Sequence, residues 1–334
     1  MKLFDLLQIF VLGTILSAGV VFLAVQYFPK LNLLDFPERY GLKRAKIPYP
    51  GGLALFPLFA GGLLWFDVAL YPVVILLSIL TAISFADDRH NLPVLPRLIT
   101  QIGLAVALIL LGIKISQVSD PLNQTNLTLP LVGQWIITIG WCVFLPNALN
   151  WFDGLKGLCV GTAGIGFLAL GVLSLFWPEL FFDPAQITAT KSTFWLAGIC
   201  LGAFPFFFRG RILLGDTGSQ TLGFLLAVFS IISGAKIATT LIVLAIPILD
   251  TIIVMLRRIF IDKKSPFKGD LNHFHHQLAQ KFGEPKSVLL LCGITTILGA
   301  LAAFLHGFTK MITLGIVGVF ILVLIVKFQP LKGE

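Results

Sequence analysis

The sequence predicts an all-α, polytopic membrane protein, a bundle of about eleven transmembrane helices. Its 334 residues are 57% hydrophobic and only 12% charged, whereas soluble globular domains carry roughly 25% charged residues. The apolar residues also form uninterrupted blocks, such as 6–28, which contains no charged side chain. About 20 apolar residues in a helix span the roughly 30 Å hydrocarbon core of a bilayer. A membrane β-barrel would instead show short segments of alternating hydrophobicity.

Charged, proline-containing and glycine-containing breaks divide the chain into the predicted spans. We expect one domain over residues 1–334, because no low-complexity linker separates soluble modules. Several spans are shorter than about 20 residues, which indicates broken helices or helices deep in the bundle. The predicted spans are 6–28, 51–66, 71–86, 97–113, 133–148, 157–177, 193–208, 218–233, 237–257, 288–305 and 311–327.

Lysine and arginine residues are distributed unequally between the two sets of loops that these spans define. One set holds 19 of the 24 and the other holds 5. Because cytoplasmic loops are enriched in positive charge, we expect the first set to face the cytoplasm. The net charge of +8 is therefore interpreted as a topology signal that also favours anionic membrane lipid and phosphate. We do not expect nucleic-acid binding.

The polar clusters of the sequence fall at the predicted cytoplasmic ends of the spans. Ionisable groups at membrane depth are costly and are candidates for function. Several inner loops bring such groups to the same level of the bilayer. We therefore expect one active site at the cytoplasmic face, where a membrane-bound and a soluble reactant could meet.

The first cluster is the carboxylate pair Asp87 and Asp88 at the end of the third span. Adjacent carboxylates repel each other unless a cation lies between them. A divalent metal ion, or a phosphate carried with its metal, would relieve this repulsion. The alternative is a solvated helix end in which Arg89 compensates the charge.

The second cluster places Asn147, Asn150 and Asp153 three residues apart. At this spacing they lie along one side of a helical turn. Three oxygen-bearing side chains in a row suit a hard cation or the hydroxyl groups of a nucleotide. Gly154 and Gly157 permit a tight turn and close backbone approach. An ordinary capped helix end is the alternative, although one capping residue would suffice for it.

The third cluster precedes an apolar helix and contains Asp216, Thr217 and Ser219. We expect these residues to cap that helix, whose amino terminus would attract phosphate. Asp216 is a candidate ligand for a metal ion that a diphosphate also contacts. Arg211, five residues earlier, is a candidate for substrate binding. A Walker P-loop is excluded, because no Gly-Lys-Ser/Thr follows.

The fourth cluster contains His273, His275 and His276, three of the five histidines of the chain. Histidine-rich tracts often bind zinc. The other clusters, however, offer carboxylate and amide oxygens, which select Mg²⁺ or Mn²⁺ over zinc. We interpret the histidines as donors to phosphate oxygens, near a Mg²⁺ ion that other residues hold. Zinc binding and a purely structural role are the alternatives.

Two weaker features are a basic segment and a buried acid. Lys43, Arg44 and Lys46 precede the second span and either steer phosphate or simply belong to the positive-inside pattern. Asp250 lies inside the ninth span, so it must be paired, protonated or close to water. No role is assigned to it from the sequence.

Taken together and in order, the four clusters resemble the polyprenyl-phosphate N-acetylhexosamine-1-phosphate transferase family. The histidine pattern is most similar to that of bacterial undecaprenyl-phosphate N-acetylglucosamine-1-phosphate transferases. Phospho-N-acetylmuramoyl-pentapeptide transferases usually carry an acidic residue after their histidine tract, where this chain has Gln277 and Leu278. The shared motifs are Asp87-Asp88, Asn147-x-x-Asn150-x-x-Asp153-Gly154, Gly215-Asp216-x-Gly218-Ser219 and His273-x-His275-His276.

The resemblance implies an enzyme that moves N-acetylhexosamine-1-phosphate, with N-acetylglucosamine as the default sugar, from a UDP-sugar to polyprenyl phosphate. UMP is the second product, Mg²⁺ or alternatively Mn²⁺ is the cofactor, and the location is the bacterial inner membrane. By the same resemblance, Asn150 and Asp216 bind the metal ion, and Asp87 and Asp88 lie at the attacking lipid phosphate, where one of them is a candidate base. His273 and His275 clamp the donor diphosphate. Asn147, Asp153 and His276 complete the site.

Two other functions are weighed against this one. The first is the related phospho-N-acetylmuramoyl-pentapeptide transferase of peptidoglycan synthesis. The second is a transporter, which would place polar residues near the bilayer midplane and often show repeated halves. This sequence shows no repeat, and its polar clusters crowd one face. Assembly into a homodimer is an alternative to a monomer that the sequence does not decide.

Overall fold

The computed structural model describes residues 3–40, 44–120, 125–175, 184–234, 237–263, 273–305 and 307–328. Of the candidate residues, Lys43 lies outside these ranges. The described residues form thirteen α-helices and one antiparallel hairpin, β1 (Gln117–Asp120) with β2 (Thr125–Thr128). The helices are α1 (Leu3–Tyr27), α2 (Gly52–Phe66), α3 (Tyr71–His90), α4 (Val94–Leu110), α5 (Leu131–Phe152), α6 (Leu158–Leu175), α7 (Pro184–Phe208), α8 (Gly215–Ile232), α9 (Ile237–Val243), α10 (Ala245–Phe260), α11 (Phe274–Phe282), α12 (Glu284–Phe304) and α13 (Gly307–Phe328).

The expected all-α, polytopic membrane architecture is confirmed. Each predicted span coincides with one helix, except the ninth, which coincides with α9 and α10. Seven of the described helices are long and apolar enough to cross a membrane, and an eighth span is counted if α9 and α10, bent by 79° at their junction, form one. The helices α2 and α4 are shorter and apolar.

Helix α8 is the central element of the bundle. It packs against α2, α3, α5 and α6, and every residue from Thr217 to Ile231 is buried. A helix that is apolar on all sides belongs in the core. Because the third polar motif forms the first turn of α8, that motif lies among the surrounding helix ends.

Glycines allow α7 to pack closely against α1. A Cβ atom at Gly198 would lie 2.2 Å from the carbonyl oxygen of Phe10, and one at Gly202 would lie 2.0 Å from that of Thr14. Helices in membranes associate through small residues spaced four apart, because these let the two backbones approach. The spacing of Gly198 and Gly202 follows this rule.

The contact between α2 and α8 depends on a second pair of glycines. The backbone N–H of Gly52 donates to Leu214 O at 3.0 Å, and a Cβ at Gly52 would lie 2.2 Å from the backbone nitrogen of Gly218. The atoms nearest to this added Cβ belong to the backbone of Thr217 and Gly218, so no flexible side chain can move aside. This crossing therefore fixes the start of α8, and with it the third motif.

Gly52→Ala is expected to lower the midpoint of thermal unfolding in detergent by several degrees. The added methyl forces α2 and α8 apart, and overpacking of this kind costs about 1–3 kcal/mol. Gly61→Ala, in the same helix, is the matched control, because a Cβ there meets no atom within 4 Å. Equal midpoints for the two variants would contradict the close contact.

Candidate active site

A cleft of about 510 Å³ lies at one end of the bundle, beside the start of α8. It brings together residues from the first three motifs. Asp88, Asp153, Gly154 and Asp216 all line it. Residues separated by more than 100 positions in the chain thus share one cavity, as the sequence predicts.

Asp88 holds the first turn of α8 from the neighbouring helix α3. Its carboxylate accepts the backbone N–H groups of Asp216 at 2.8 Å and Thr217 at 2.9 Å. The hydroxyl groups of Thr217 and Tyr49 also donate to it. The first turn of a helix has N–H groups without partners in the helix, and Asp88 accepts two of them. Its interaction with the helix amino terminus is also electrostatically favourable.

The expectation that Asp216, Thr217 or Ser219 caps α8 is wrong. The residue at the N-cap position is Leu214, whose side chain makes no capping hydrogen bond. Gly215 follows it with a φ of +75°, a conformation in which an L side chain is strained. A Cβ at Gly215 would also lie 2.8 Å from Oδ2 of Asp88. The cap therefore comes from α3, and Gly215 makes room for it.

Asp87 has a different set of partners from Asp88. Its carboxylate accepts the backbone N–H of Leu92 at 2.6 Å and a hydrogen bond from the guanidinium group of Arg97. The same Arg97 nitrogen lies 2.8 Å from Oδ2 of Asp216. Arg97 therefore joins the first motif to the third. Arg89, which compensates the acidic pair in the alternative interpretation, donates to the carbonyl oxygen of Asn32 at 3.1 Å.

Asn150 belongs to the site through contacts with α8. It lies in the last turn of α5, and its amide donates to the Ser219 hydroxyl at 3.0 Å. Ser219 lies three residues after Asp216, within the first turns of α8. Asn150 and Asp216, the two candidate metal ligands, are thus neighbours across the interface between α5 and α8.

Asn147, one turn earlier in α5, is part of an amide chain instead. Its side chain donates to Gln101 at 2.6 Å and to the carbonyl oxygen of Val143 at 2.7 Å. Gln101 in turn donates to Gln220 at 2.6 Å. Asn147 does not line the cleft. Its role in substrate binding stays a prediction.

Asp153 follows the end of α5 and faces the same cleft. Removal of water from its carboxyl group raises the pKa of this half-buried residue well above its usual range, and the charges of Asp216 and Asp88 raise it further. Three carboxylates in one cleft favour the entry of a cation, which would lower their mutual repulsion. Carboxylate and amide oxygens, as Asp216 and Asn150 offer them, are the ligands that Mg²⁺ and Mn²⁺ prefer. The residues present therefore fit such an ion.

The fourth motif is built around Asp250, the acid without an assigned role. Nδ1 of His273 lies 3.1 Å and Nδ1 of His275 lies 3.4 Å from Oδ2 of Asp250. The backbone N–H of Phe274 donates to its other oxygen at 2.9 Å. Asp250 and both histidines are buried. Ligand atoms of these three residues lie within 4.8 Å of one another, so zinc binding by this motif stays an alternative.

Aromatic residues of the second motif support the histidines of the fourth. The ring of Trp151 lies 6.0 Å from that of His273, and the ring of Phe152 lies 5.2 Å from that of His275. A Cβ at Gly154 would lie 2.5 Å from Nε2 of both His275 and His276. Gly154 thus allows these two rings to reach the backbone that lines the cleft.

The two basic candidates do not line the cleft. Lys46 is exposed and lies 3.9 Å from Glu38, and Arg211 is exposed as well. Arg44, which forms an ion pair with Asp35 at 2.5 Å, does line the cleft, as does Lys156. Substrate binding by Lys46 and Arg211 stays a prediction.

Sequence reasoning missed three residues of the site: Tyr49, Arg97 and Asp250. Arg97 was counted only as part of the positive-inside pattern. The contact of Tyr49 could not be predicted, because its partner Asp88 is 39 residues away in the chain. For Asp250 the signal was present, since a carboxylate inside an apolar span requires a partner.

The chain is similar to known proteins over most of its length. Residues 70–234 match the family described as "Glycosyl transferase family 4". A probable undecaprenyl-phosphate N-acetylglucosaminyl 1-phosphate transferase of Bacillus subtilis is 27% identical over 318 residues, covering 91% of this chain and 85% of the relative.

Two further relatives come from other bacteria. The decaprenyl-phosphate N-acetylglucosaminephosphotransferase of Mycobacterium leprae is 28% identical, covering 78% of this chain and 74% of the relative. The undecaprenyl-phosphate α-N-acetylglucosaminyl 1-phosphate transferase of Escherichia coli K12 is 24% identical, covering 90% and 84%. The family match over residues 70–234 and the names of these relatives confirm the resemblance to polyprenyl-phosphate N-acetylglucosamine-1-phosphate transferases that the motifs carry.

Proposed function

We propose that this chain transfers N-acetylglucosamine-1-phosphate from UDP-N-acetylglucosamine to undecaprenyl phosphate or another polyprenyl phosphate. UMP is released, and the lipid-diphospho-sugar starts the synthesis of a cell-envelope glycan. The carrying observation is that acids from three distant motifs line one cleft, while Asn150 is bonded to the helix α8 beside it and the histidines of the fourth motif pack against Gly154. Relatives with this activity in their names cover most of the chain, which favours this function over the phospho-N-acetylmuramoyl-pentapeptide transferase.

The proposed cofactor is Mg²⁺, with Mn²⁺ able to replace it, held by Asp216 and Asn150. The main obstacle to the reaction is the repulsion between two anions, the lipid phosphate and the nucleotide diphosphate. A bound divalent cation supplies positive charge that offsets this repulsion and stabilises the transferring phosphoryl group. Asp216 suits the ligand role, because its carboxylate lies in the cleft and is held in place by Arg97.

The chemical step is an in-line displacement at the β-phosphorus of the donor. An oxygen of the lipid phosphate forms the new P–O bond, and the bond to the bridging oxygen breaks, so that UMP leaves with that oxygen. The lipid phosphate is already largely ionised near neutral pH and requires no base. Asp87 and Asp88 are fully engaged with protein donors, so we propose that they position Arg97 and the start of α8.

The cleft lies where the substrates of this reaction would meet. The lipid chain stays among the apolar helices, and its phosphate reaches their polar ends. The donor nucleotide enters from the cytoplasm, in agreement with the positive charge of the loops on that side. We therefore place the enzyme in the bacterial inner membrane, with its active site facing the cytoplasm.

The test is incubation of the purified protein with UDP-N-acetylglucosamine, undecaprenyl phosphate and Mg²⁺. We expect UMP and the lipid product in equal amounts, no reaction after EDTA, and recovery when Mg²⁺ or Mn²⁺ is added back. UDP-N-acetylmuramoyl-pentapeptide in a parallel assay separates the two transferases. Absence of UMP with every UDP-sugar tested would contradict the proposed function and favour a transporter.

A further inference from the structure

Asp250 is a buried acid that the chemistry described above does not use. Only 1% of its surface is exposed, in the helix α10 that follows the bend. Its carboxylate meets three nitrogens: Nδ1 of His273, Nδ1 of His275 and the backbone nitrogen of Phe274. A carboxylate buried to this extent must be compensated, and these contacts supply the compensation.

The contacts determine where the imidazole protons lie. An ionised carboxylate can only accept hydrogen bonds, so Nδ1 of His273, which is bonded to Asp250 at 3.1 Å, must carry a hydrogen. Nδ1 of His275 makes no hydrogen bond with it, but at 3.4 Å from the same oxygen a hydrogen on this atom is favoured over a lone pair, which the carboxylate would repel. The opposite nitrogen, Nε2, is then the one available to a ligand. A carboxylate behind a histidine fixes both its tautomer and its ring orientation in this way.

The Nε2 atom of His275 has the position expected for contact with a ligand. The residue is fully buried, and neither Nε2 nor Nδ1 of its ring has a hydrogen-bond partner among the described residues. Nε2 lies beside Gly154, which lines the cleft. A buried polar atom without a partner is costly in a folded protein, and a bound substrate would satisfy it.

The charge of the His275 ring depends on whether a phosphate group lies beside it. Burial lowers the pKa of His275, so the isolated ring is neutral and Nε2 carries a lone pair. When a phosphate group binds, Nε2 takes up a proton from solvent and becomes a donor. The negative charge of Asp250 stabilises the imidazolium that results.

We propose that Asp250 is a positioning residue for the donor substrate. It holds the protons of His273 and His275 on Nδ1, directs Nε2 of His275 toward the diphosphate, and offsets the charge that the ring gains there. This proposal rests on the proposed function for the identity of the ligand. The tautomer assignment itself rests only on the contacts of Asp250.

A zinc ion bound by the same three residues requires the opposite chemistry. Metal-binding nitrogens must be deprotonated, so the Nδ1 atoms of His273 and His275 would carry lone pairs and their Nε2 atoms would carry the hydrogens. The position of the ring protons therefore separates the two arrangements.

The first measurement is the ¹⁵N spectrum of the full-length protein labelled at its five histidines. We expect two rings in the Nδ1–H form, both of which change in Asp250→Asn. Asp262→Asn is the matched control, because it removes a carboxylate just after α10 whose nearest cation is Arg257, at 3.6 Å. Nε2–H signals for both rings in the wild type, or signals that respond to Zn²⁺ or a chelator, would overturn the proposal.

The second measurement is the kinetics of UMP release. We expect Asp250→Asn to lower kcat/KM for UDP-N-acetylglucosamine on the order of 10- to 100-fold, the loss seen when the carboxylate partner of a metal-binding histidine is removed. Most of the loss is expected in KM for the nucleotide sugar, and Asp250→Glu should restore part of it. Wild-type kinetics in Asp250→Asn would overturn the role. If no variant releases UMP, the proposed function fails, while the spectrum still decides the tautomers.

Discussion

Asp216→Asn is expected to abolish UMP release while leaving the protein folded. The substitution removes the charge of the proposed metal ligand, and the loss of such an electrostatic contribution lowers kcat on the order of 10³-fold. The fold survives, because Asp88 still binds the first turn of α8 through backbone N–H groups. Arg97 also retains Asp87 as its partner.

The measurement pairs an assay of UMP release with thermal unfolding in detergent. Asp67→Asn serves as the matched control, because this carboxylate accepts the backbone N–H of Ala69 at 2.9 Å at the opposite end of α2 from the cleft. The control should retain wild-type turnover. Substantial activity in Asp216→Asn would remove this residue from the proposed metal site.

Asp88→Ala is expected to have the largest effect on stability, in addition to loss of activity. The substitution leaves four donor groups without their acceptor: the N–H groups of Asp216 and Thr217 and the hydroxyls of Thr217 and Tyr49. Each buried donor left unsatisfied costs about 1–3 kcal/mol. A loss of several kcal/mol is large compared with the 5–15 kcal/mol by which domains are usually stable.

A second variant, Asp88→Asn, distinguishes a role of Asp88 in stability from a role in the reaction. Asparagine keeps one acceptor oxygen, so its midpoint of thermal unfolding should fall between those of the wild type and Asp88→Ala. Asp216→Asn should stay close to the wild type. If Asp88→Ala is inactive yet as stable as the wild type, Asp88 acts on the substrates directly and the capping interpretation is wrong.

The fold could be predicted from the sequence because membrane helices leave a simple signal. Low charge and long apolar blocks predict eleven spans, and every one coincides with helical structure, although only seven of the described helices, or eight spans with the bent pair, are long and apolar enough to cross a membrane. The bend between α9 and α10 could not be predicted in the same way. Pro247, three residues after the junction, is a residue that kinks or breaks helices, but the apolar residues continue through Leu244, so apolar composition alone does not give the bend of 79°.

The sequence predicts the four motifs of the site but not the contacts between them. The four motifs were recognisable because acids, amides and histidines are conspicuous beside apolar spans. Their contacts were not recognisable, because the acceptor for the first turn of α8 lies 128 residues earlier in the chain. Local residue types therefore indicated that Asp216, Thr217 or Ser219 caps the helix, whereas Asp88 does so from another element.

The central claim is that the motifs form one site around a divalent cation beside the start of α8. The most direct measurement is the anomalous scattering of Mn²⁺ in crystals grown with UDP-N-acetylglucosamine. A single-site arrangement predicts one manganese peak beside the side chains of Asp216 and Asn150, with the diphosphate between it and His275. A peak at Asp250, His273 and His275, with none at Asp216, would contradict it.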